Sequence, residues 1–532
     1  MPMRSRASLR ALDAVAVARF QAEWRPVGRP ESAPDLELRA HSDAKPVSTL
    51  AACALARFQA EWRPVGRPES APDLELGAHS DAKPVSTFAA CALAVCAILL
   101  VAAGSLPAPA QGLPKGSPEE AGFSPERLQR LTRTFQAHVD NGDLAGAVVL
   151  IARDGKLAYL EPFGFQNRED RIPMRTDAIF RIASMTKPFT SVAVMMLAEE
   201  ARIDIADPAW RYLPELKDPK VGVETVDPDS GKPSLSLAPA RRQVTVQDLL
   251  RHTSGFTYQF IGKQTLVKQA YANAKVLDPG QTLAEMVTKL AGLPLSFQPG
   301  TTFDYGMSTD VLGRMVETVS GMELDRFIGE RITAPLGLAS TGFSVRESDV
   351  GRIAEPQADP ATGRRPPSIA AAATLARKPR WLSGGGGMVS TAEDYARFCQ
   401  MLLNGGELDG VRLLSPSTVA LMTADHLPPG VGYDQELMLQ FKDTAPTPEM
   451  GQGFGLGFAV RKDAGRNPLP GAPGSYYWQG AWGTAFWVDP RNRLIAVLMI
   501  QVPPGQIDRY RQELRYLVYQ AMTGPVGGPA SK

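Results

Sequence analysis

The sequence predicts an α/β protein of the α+β type, in which both ends of one domain build a shared antiparallel sheet. Three observations carry this prediction. A helix and a β-hairpin are expected shortly after residue 111, β-rich runs and a helix close the chain, and residues 201 to about 450 have the pattern of helices and loops. Strands from the two ends can pair in one sheet flanked by helices, while the middle forms a second, mostly helical subdomain.

The opening elements follow from local signals. Ser124 and Pro125 predict a helix start, because serine can cap the free N–H groups and proline suits the first helical position. Residues 146–153 (GAVVLIAR) and 156–164 (KLAYLEPFG) are rich in β-forming residues. The Asp-Gly dipeptide at 154–155 is typical of a two-residue hairpin turn, so the two runs are predicted to pair.

The remaining elements are assigned from hydrophobic periodicity and from runs of β-forming residues. Helices are predicted at 184–200, 245–251, 308–320, 391–404 and 508–522. Strands are predicted at 453–460, 475–480, 484–489 and 493–501. Because no linker interrupts this part of the chain, we expect one catalytic domain over residues 111–525 and a short tail over 526–532.

Composition and motifs exclude several classes of protein. The 532 residues carry 57 Lys and Arg against 56 Asp and Glu, and this balance argues against a nucleic-acid partner, which needs a basic face. Four cysteines are too few for a disulfide scaffold. The chain has no G-x-S-x-G elbow, no H-E-x-x-H or paired-cysteine spacing and no phosphate-binding P-loop. We therefore expect no metal and no cofactor.

Residues 1–110 are predicted to be a leader outside the domain. Residues 18–55 are repeated almost unchanged at 56–93. Two copies are too few to stack as a solenoid, and the unit is rich in Pro, Ser and Ala. We interpret the duplicated segment as disordered.

An apolar run without charge, residues 88–103, lies near the end of this leader. Lys83 precedes the run and the small-residue pattern Ala-Pro-Ala follows at 108–110, so residues 83–110 resemble a secretory signal with its cleavage site. The alternative is an uncleaved membrane anchor, although the run is short for a span of about 20 residues. Both interpretations predict an exported protein, periplasmic, secreted or held at the membrane.

The run SMTK at 184–187 offers a nucleophile and a base. His252 is the only histidine in a motif-like setting and is interpreted as structural, so a base other than histidine is needed. A spacing of three on a helix places Ser184 and Lys187 on one face. The free N–H groups at a helix start stabilise negative charge, and an amine shielded from water can accept the serine proton. The leader contains the same spacing twice, so the pattern alone is not specific.

Five blocks of sequence appear in an order that resembles a known family. They are RIASMTKPFTSVAVMMLAEE (181–200), DLLRHTSGF (248–256), PGTTFDYGMSTDVLGRMVETVSG (299–321), SGGGGMVSTAEDYARF (383–398) and YYWQGAWGTAFWVDP (476–490). Together they resemble the serine β-lactamase and penicillin-binding superfamily over residues 115 to 522. The branch they resemble most is that of the class C β-lactamase-related, or family VIII, carboxylesterases. The resemblance implies a β-lactamase/transpeptidase-like fold.

The resemblance also implies roles for particular residues. Ser184 would be the acylated nucleophile, Lys187 its proton acceptor, and Tyr305 a second base or proton shuttle at the first position of the family's Tyr-x-Asn motif. The backbone N–H groups of Ser184 and Ala481 would form the oxyanion hole. The residues expected to bind substrate are Trp478, Gln479, Gly480, Trp482 and Met307. Taken alone, the tyrosine and the tryptophans could equally be packing residues of the core and the sheet.

Two departures from the family pattern bear on the substrate. Met307 stands where the motif has Asn, and Trp478-Gln479-Gly480 stands where β-lactamases have Lys-Thr-Gly. The cation that would bind a substrate carboxylate is therefore missing, and Trp-x-Gly resembles the esterase branch. We expect an exported serine hydrolase that cleaves small-molecule carboxylic esters. The alternatives are a β-lactamase or D-alanyl-D-alanine peptidase, and a non-catalytic interaction protein with the same fold.

Overall fold

The computed structural model describes residues 112–358, 363 and 372–524. The predicted leader, with its duplicated segment and its apolar run, lies outside the described residues, and so does the predicted tail. Within the described part of the chain, no helix is both long enough and apolar enough to cross a membrane. The described residues lie within the range predicted for the catalytic domain, 111–525.

The helices of the described residues flank the main sheet and fill the middle of the domain. They are α1 (Pro125–Asp140), α2 (Lys187–Glu199), α3 (Val246–Leu250), α4 (Leu266–Asn273), α5 (Leu283–Ala291), α6 (Ser308–Ser320), α7 (Leu324–Ile328), α8 (Ala392–Leu403), α9 (Pro416–Met422), α10 (Gln435–Phe441) and α11 (Ile507–Ala521). A 3₁₀ turn, Ala183–Thr186, leads directly into α2.

Eight strands form one antiparallel sheet in the order β12-β13-β14-β15-β16-β1-β2-β3. Their bounds are β1 (Gly146–Arg153), β2 (Lys156–Asn167), β3 (Ile172–Pro173), β12 (Gln452–Phe454), β13 (Ala459–Arg461), β14 (Tyr476–Gln479), β15 (Gly483–Asp489) and β16 (Leu494–Gln501). The other strands pair two by two: β4 (Phe180–Arg181) with β8 (Val389–Ser390), β5 (Lys220–Val226) with β6 (Pro233–Pro239), β7 (Thr302–Phe303) with β11 (Gly432–Tyr433), and β9 (Glu407–Leu408) with β10 (Val411–Arg412).

The predicted sheet shared by the two ends of the domain is confirmed. β1 lies between β2 and β16, and Ala147 pairs with Ile500 in the register of the last strand. The predicted hairpin of β1 and β2 is also present. Asp154 and Gly155 both have positive φ, 52° and 75°, as the turn that suits a two-residue hairpin requires.

Helices cover both faces of the central strands. Side chains alternate between the two faces along a strand, so two neighbouring residues of β15 identify the helix that covers each face. Trp487 stacks on Tyr519 of α11 with 6.3 Å between ring centroids, whereas Phe486 contacts Tyr395 of α8 at 4.9 Å. α1 packs beside α11, and every residue of β16 is buried.

The helical subdomain is arranged around α6, whose predicted bounds, 308–320, are confirmed. α2, α3, α5 and α7 all pack against it. α2 also continues directly from the turn that carries Ser184. The packing of α2 against α6 therefore also fixes the position of the candidate nucleophile.

The predicted strand at 453–460 is wrong in its middle. β12 ends at Phe454 and β13 begins only at Ala459. Between them Gly457 adopts a φ of 101°, and a Cβ there would lie 2.3 Å from Ser191 Oγ. The chain therefore reverses close to α2 and forms two short antiparallel strands instead of one.

The hairpin of β5 and β6 was not predicted and lies inside the region assigned to helices and loops. Its strands are largely exposed and include Pro233, Ser234, Ser236 and Pro239. The alternation of apolar and polar residues that marks a strand covers only short stretches here, such as Ser-Leu-Ser-Leu at 234–237, and its apolar residues Val223 and Leu237 are exposed.

Candidate active site

Ser184 lies at the junction of a short strand and a helix. β4 ends at Arg181, and the 3₁₀ turn that follows passes directly into α2. Ala183 has a positive φ of 43°, which is uncommon for a residue with a side chain and marks a sharp change of direction before the serine. Ser184 is half-buried, whereas Met185 and Thr186 are buried, so the serine remains accessible to a small molecule.

Lys187 begins α2, and only 1% of the residue is exposed. Its Nζ donates to Ser184 Oγ at 3.4 Å, to Tyr258 Oη at 3.3 Å and to the carbonyl oxygen of Gly385 at 2.8 Å. A carbonyl oxygen can only accept, so Gly385 orients one N–H, whereas the two hydroxyls can donate or accept. The arrangement places the amine beside Ser184 Oγ, where the two groups could exchange a proton, while Gly385 keeps the amine in place.

Tyr305 lies between β7 and α6, with 6% of its surface exposed. Lys187 Nζ is 4.5 Å from the centroid of its ring, and Trp478 Nε1 donates a hydrogen bond to its hydroxyl at 3.2 Å. Lys187 therefore contacts both Ser184 and Tyr305. The catalytic roles assigned to these three residues stay predictions.

Aromatic side chains surround Tyr305. The ring centroids lie 4.8 Å away for His252, 5.2 Å for Trp478, 5.5 Å for Phe441 and 5.6 Å for Tyr258. Burial, followed by the charge of Lys187, holds the pKa of His252 well below its usual range. His252 is therefore a neutral packing partner of the tyrosine.

Sequence reasoning missed Tyr258 and Asp310. Besides the Tyr258 contact with Lys187, Asp310 Oδ1 accepts hydrogen bonds from Ser383 Oγ at 2.6 Å and from the N–H of Gly385 at 3.3 Å. Burial is the main cause that raises the pKa of both Tyr258 and Asp310, and each shift favours the neutral form. The only sequence signal for the tyrosine is its place two residues after the block DLLRHTSGF.

The turn between β14 and β15 carries Ala481, the second predicted oxyanion donor. The N–H of Gly480 donates to the carbonyl of Thr484 at 2.8 Å, and the N–H of Gly483 donates back to the carbonyl of Gly480 at 3.1 Å. Thr484 Oγ1 donates to the carbonyl of Ile182 at 3.3 Å, and a Cβ on Gly480 would lie 2.5 Å from that same oxygen. The turn is therefore packed against the residues that precede the candidate nucleophile.

The remaining predicted substrate-binding residues differ in exposure. Gln479 and Trp482 are half-buried, and Gln479 Nε2 donates to Thr444 Oγ1 at 3.0 Å. Trp478 is 2% exposed and Met307 is fully buried. Met307 therefore contributes packing at the start of α6 and offers no amide to a substrate.

No group of three or more His, Cys, Asp or Glu side chains within the described ranges is placed to hold a metal ion. Cys399, the single cysteine of that part of the chain, is buried in α8, and burial raises the pKa of its thiol. The polar side chains of the site are thus the amine of Lys187, the hydroxyls of Ser184 and Tyr258, and the carboxyl of Asp310.

The sheet, the helical subdomain and a Ser-x-x-Lys pair at their junction define a serine hydrolase of the β-lactamase type. The chain belongs to the Beta-lactamase family, which it matches over residues 131–520. The resemblance inferred from the five sequence blocks is therefore confirmed.

Individual relatives agree with this assignment. The chain is 37% identical to Protein Rv1367c of Mycobacterium tuberculosis over 69% of this chain and 88% of that protein. It is 30% identical to Esterase EstB of Burkholderia gladioli over 75% of this chain and 92% of the esterase. The solved structure of EstCE1, a hydrolase with promiscuous acyltransferase activity, superposes with a TM-score of 0.60 at 27% identity, over 74% of this chain and 99% of that one.

Proposed function

We propose that this chain hydrolyses uncharged carboxylic esters through an acyl-enzyme on Ser184. The observation that carries the proposal is the contact between Ser184 Oγ and the buried amine of Lys187, 3.4 Å apart, beside the ring of Tyr305. The relation to EstB, an esterase by name, supports ester cleavage in particular.

In acylation, Lys187 takes the proton of Ser184 Oγ while that oxygen attacks the carbonyl carbon of the ester. Negative charge then develops on the carbonyl oxygen, and the backbone N–H groups of Ser184 and Ala481 receive it. Neither N–H has an acceptor among the described residues, which leaves both available. When the intermediate collapses, the bond to the alcohol breaks, and Tyr305 passes the proton from Lys187 to the leaving oxygen.

Deacylation repeats these steps with water. The water oxygen attacks the acyl carbon, and its proton moves to Lys187 by way of Tyr305. The bond between the acyl carbon and Ser184 Oγ then breaks, the serine takes back a proton, and the carboxylic acid leaves. The sum is the addition of one water molecule across the ester, with the enzyme unchanged.

The side chains around the site favour an uncharged acyl group. The ring neighbours of Tyr305 are aromatic, and the one with a titratable nitrogen, His252, is neutral. Trp478 occupies the place of the cation that β-lactamases use for a substrate carboxylate, and its indole N–H is directed at Tyr305. At Trp478 a charged carboxylate would therefore lose its hydration without the ion pair that a lysine at that position would provide.

A panel of esters, lactams and peptides tests the proposal. Wild type should hydrolyse p-nitrophenyl butyrate faster than a chromogenic cephalosporin or a D-alanyl-D-alanine peptide. Ser184→Ala should abolish turnover and labelling by a fluorophosphonate probe, and Lys187→Ala should lower kcat by at least about 100-fold, as loss of a general base does. Ser117→Ala, at an exposed serine, is the control and should behave as wild type.

Each alternative function predicts a different result in that panel. Faster turnover of the cephalosporin or the peptide would favour a β-lactamase or a D-alanyl-D-alanine peptidase. Folded protein that takes up no fluorophosphonate label would favour a non-catalytic interaction protein.

We also propose that the chain is exported. The charge-free run at 88–103 and the Ala-Pro-Ala pattern after it support this proposal. Residues 1–115 fused to a reporter phosphatase that is active only outside the cytoplasm should give activity, and the amino-terminal sequence of the product separates a cleaved signal from a retained anchor. An inactive fusion that stays in the cytoplasm would contradict export.

A further inference from the structure

An arginine of the last helix, α11, forms hydrogen bonds to the turn that joins β14 and β15. Arg511, in the first half of α11, directs its guanidinium at three carbonyl oxygens of this turn. Nη2 donates to Gly480 at 2.5 Å and to Thr484 at 3.0 Å, and Nε donates to Gly483 at 3.3 Å. One side chain thus binds carbonyl groups on both sides of Ala481, at the start and at the end of the turn.

The arginine and the candidate active site lie on opposite faces of the sheet. Along β14, Tyr477 faces α11, because the guanidinium of Arg515 lies 5.5 Å from its ring centroid. The next residue, Trp478, faces the other way and donates to the hydroxyl of Tyr305. Adjacent residues of a strand point to opposite faces, so Arg511 approaches the turn from the side away from Ser184.

The bond to Gly480 has a geometric consequence for Ala481. The carbonyl of Gly480 and the N–H of Ala481 belong to one planar trans peptide unit, in which the two groups point in opposite directions. A guanidinium that holds the carbonyl toward α11 therefore aims the N–H away from α11. We propose that Arg511 is a positioning residue for the oxyanion hole, which fixes and polarises the N–H of Ala481; this inference rests on the proposed function.

Charge adds to the geometric effect. A cation bound to the oxygen of a peptide unit draws electron density from it and makes its N–H a stronger donor, as in other hydrogen-bond chains of low dielectric surroundings. Asp508 and Asp443 are near enough to act on the charge of Arg511, but its N–H groups donate to the three carbonyls. Burial lowers the pKa of Arg511 to about 10, which still leaves the guanidinium charged at neutral pH.

Substitution of the arginine tests the inference on the full domain. Arg511→Met should lower kcat for p-nitrophenyl butyrate by about 10- to 100-fold, less than the loss of a whole oxyanion donor, and should change KM by less than about twofold. Arg511→Lys keeps the charge but cannot reach three carbonyls at once, so its loss should be intermediate. Arg515→Met is the matched control, one turn further along α11, where the side chain packs over Trp487 at 4.7 Å, and it should retain wild-type kinetics.

The carbonyl stretching frequency of the acyl-enzyme gives a readout that a merely structural role would not move. With a ¹³C-labelled acyl group on Ser184, a strong oxyanion hole lowers this frequency in wild type, and it should rise in Arg511→Met even for the fraction that remains folded. An unchanged frequency with unchanged kcat per folded molecule would overturn the inference. A wild type that forms no acyl-enzyme on Ser184 would instead overturn the proposed function, so the two failures are distinguishable.

Discussion

Two tyrosines contact Lys187, one through its hydroxyl and the other through its ring. Tyr258 presents its hydroxyl to Nζ at 3.3 Å, whereas Tyr305 presents its ring, and its own hydroxyl accepts from Trp478. A hydroxyl that only orients the amine contributes less to catalysis than one that moves a proton.

Phenylalanine at each tyrosine separates these roles. Tyr305→Phe should lower kcat for p-nitrophenyl butyrate by about 100-fold, because it removes the hydroxyl of the proposed proton relay. Tyr258→Phe should cost about 10-fold, because one of three partners of the amine disappears. Steady-state kinetics of the two variants would check this. A larger loss in Tyr258→Phe would assign the relay to that residue instead.

Asp304 gives a prediction on stability against pH. Burial raises its pKa to about 7, against the opposing charge of Lys268, so the folded chain holds a proton that the unfolded chain releases near pH 4. This group therefore lowers stability as pH rises from about 4 to about 7 and adds no further loss above that range. Asp304→Asn lacks the titration. Relative to wild type, its free energy of unfolding should gain roughly 1–3 kcal/mol between pH 5 and pH 8.

Denaturant unfolding of both proteins at the two pH values measures that gain. A difference between them that does not vary with pH would show that Asp304 is ionised in the folded chain. Because Asp304 precedes Tyr305, activity should be followed in parallel to confirm that the variant keeps the site intact.

The sequence reveals some residues of the site more readily than others. Ser184 and Lys187 are found because a helical spacing of three links them, and Tyr305 because it starts a recognisable motif. Tyr258 reaches Lys187, and Asp310 reaches Gly385, only through the folding of distant segments, so no local spacing marks them. The Arg511 contacts are of the same kind, because they join a helix near the end of the chain to a turn about 30 residues earlier.

Among the structural elements, the glycine-rich turn before β8 shows how closely the backbone approaches the candidate catalytic groups. Gly385 supplies the carbonyl that orients Lys187. A Cβ on Gly385 would lie 2.4 Å from Asp310 Oδ2 and 2.9 Å from Tyr258 Oη, whereas a Cβ on Gly386 would meet nothing closer than 3.8 Å.

This difference predicts opposite outcomes for adjacent substitutions. Gly385→Ala should lower kcat by at least about 10-fold, because the turn must move and take the carbonyl away from the amine. Gly386→Ala should stay within about twofold of wild type. Equal effects of the two substitutions on ester hydrolysis would mean that the turn is flexible enough to absorb a methyl group.

Elements with a strong local signal were predicted well, and those set by tertiary contacts were not. The bounds of α6 and the turn at Asp154 and Gly155 follow from periodicity and turn chemistry. The reversal at Gly457 does not, because its cause is the approach of Ser191 from a helix more than 200 residues earlier in the chain. The hairpin of β5 and β6 has only short alternating stretches, and their apolar residues Val223 and Leu237 do not enter the core.

For the whole molecule, the domain boundaries remain a prediction that truncation can test. Residues 111–525 expressed alone should fold and hydrolyse p-nitrophenyl butyrate as the full chain does, because the sheet and the candidate site lie within them. Removal of residues 507–525 should prevent folding, since α11 covers one face of the sheet with Tyr510, Leu514 and Val518 buried. Circular dichroism and activity of the two fragments would decide. An unfolded 111–525 fragment would show that the leader belongs to the domain.

The position of β1 between β2 and β16 also sets the order in which the enzyme can mature. The ribosome makes β1 and the Ser184 segment early, but the partner strand and the turn with Ala481 emerge only near the end of translation. Until then the inner edge of the first hairpin has no neighbour, and the long separation of the paired strands slows their meeting. A nascent chain therefore carries Ser184 before Ala481 exists, and the proposed ester cleavage would begin only after synthesis of the last strand and helix is finished.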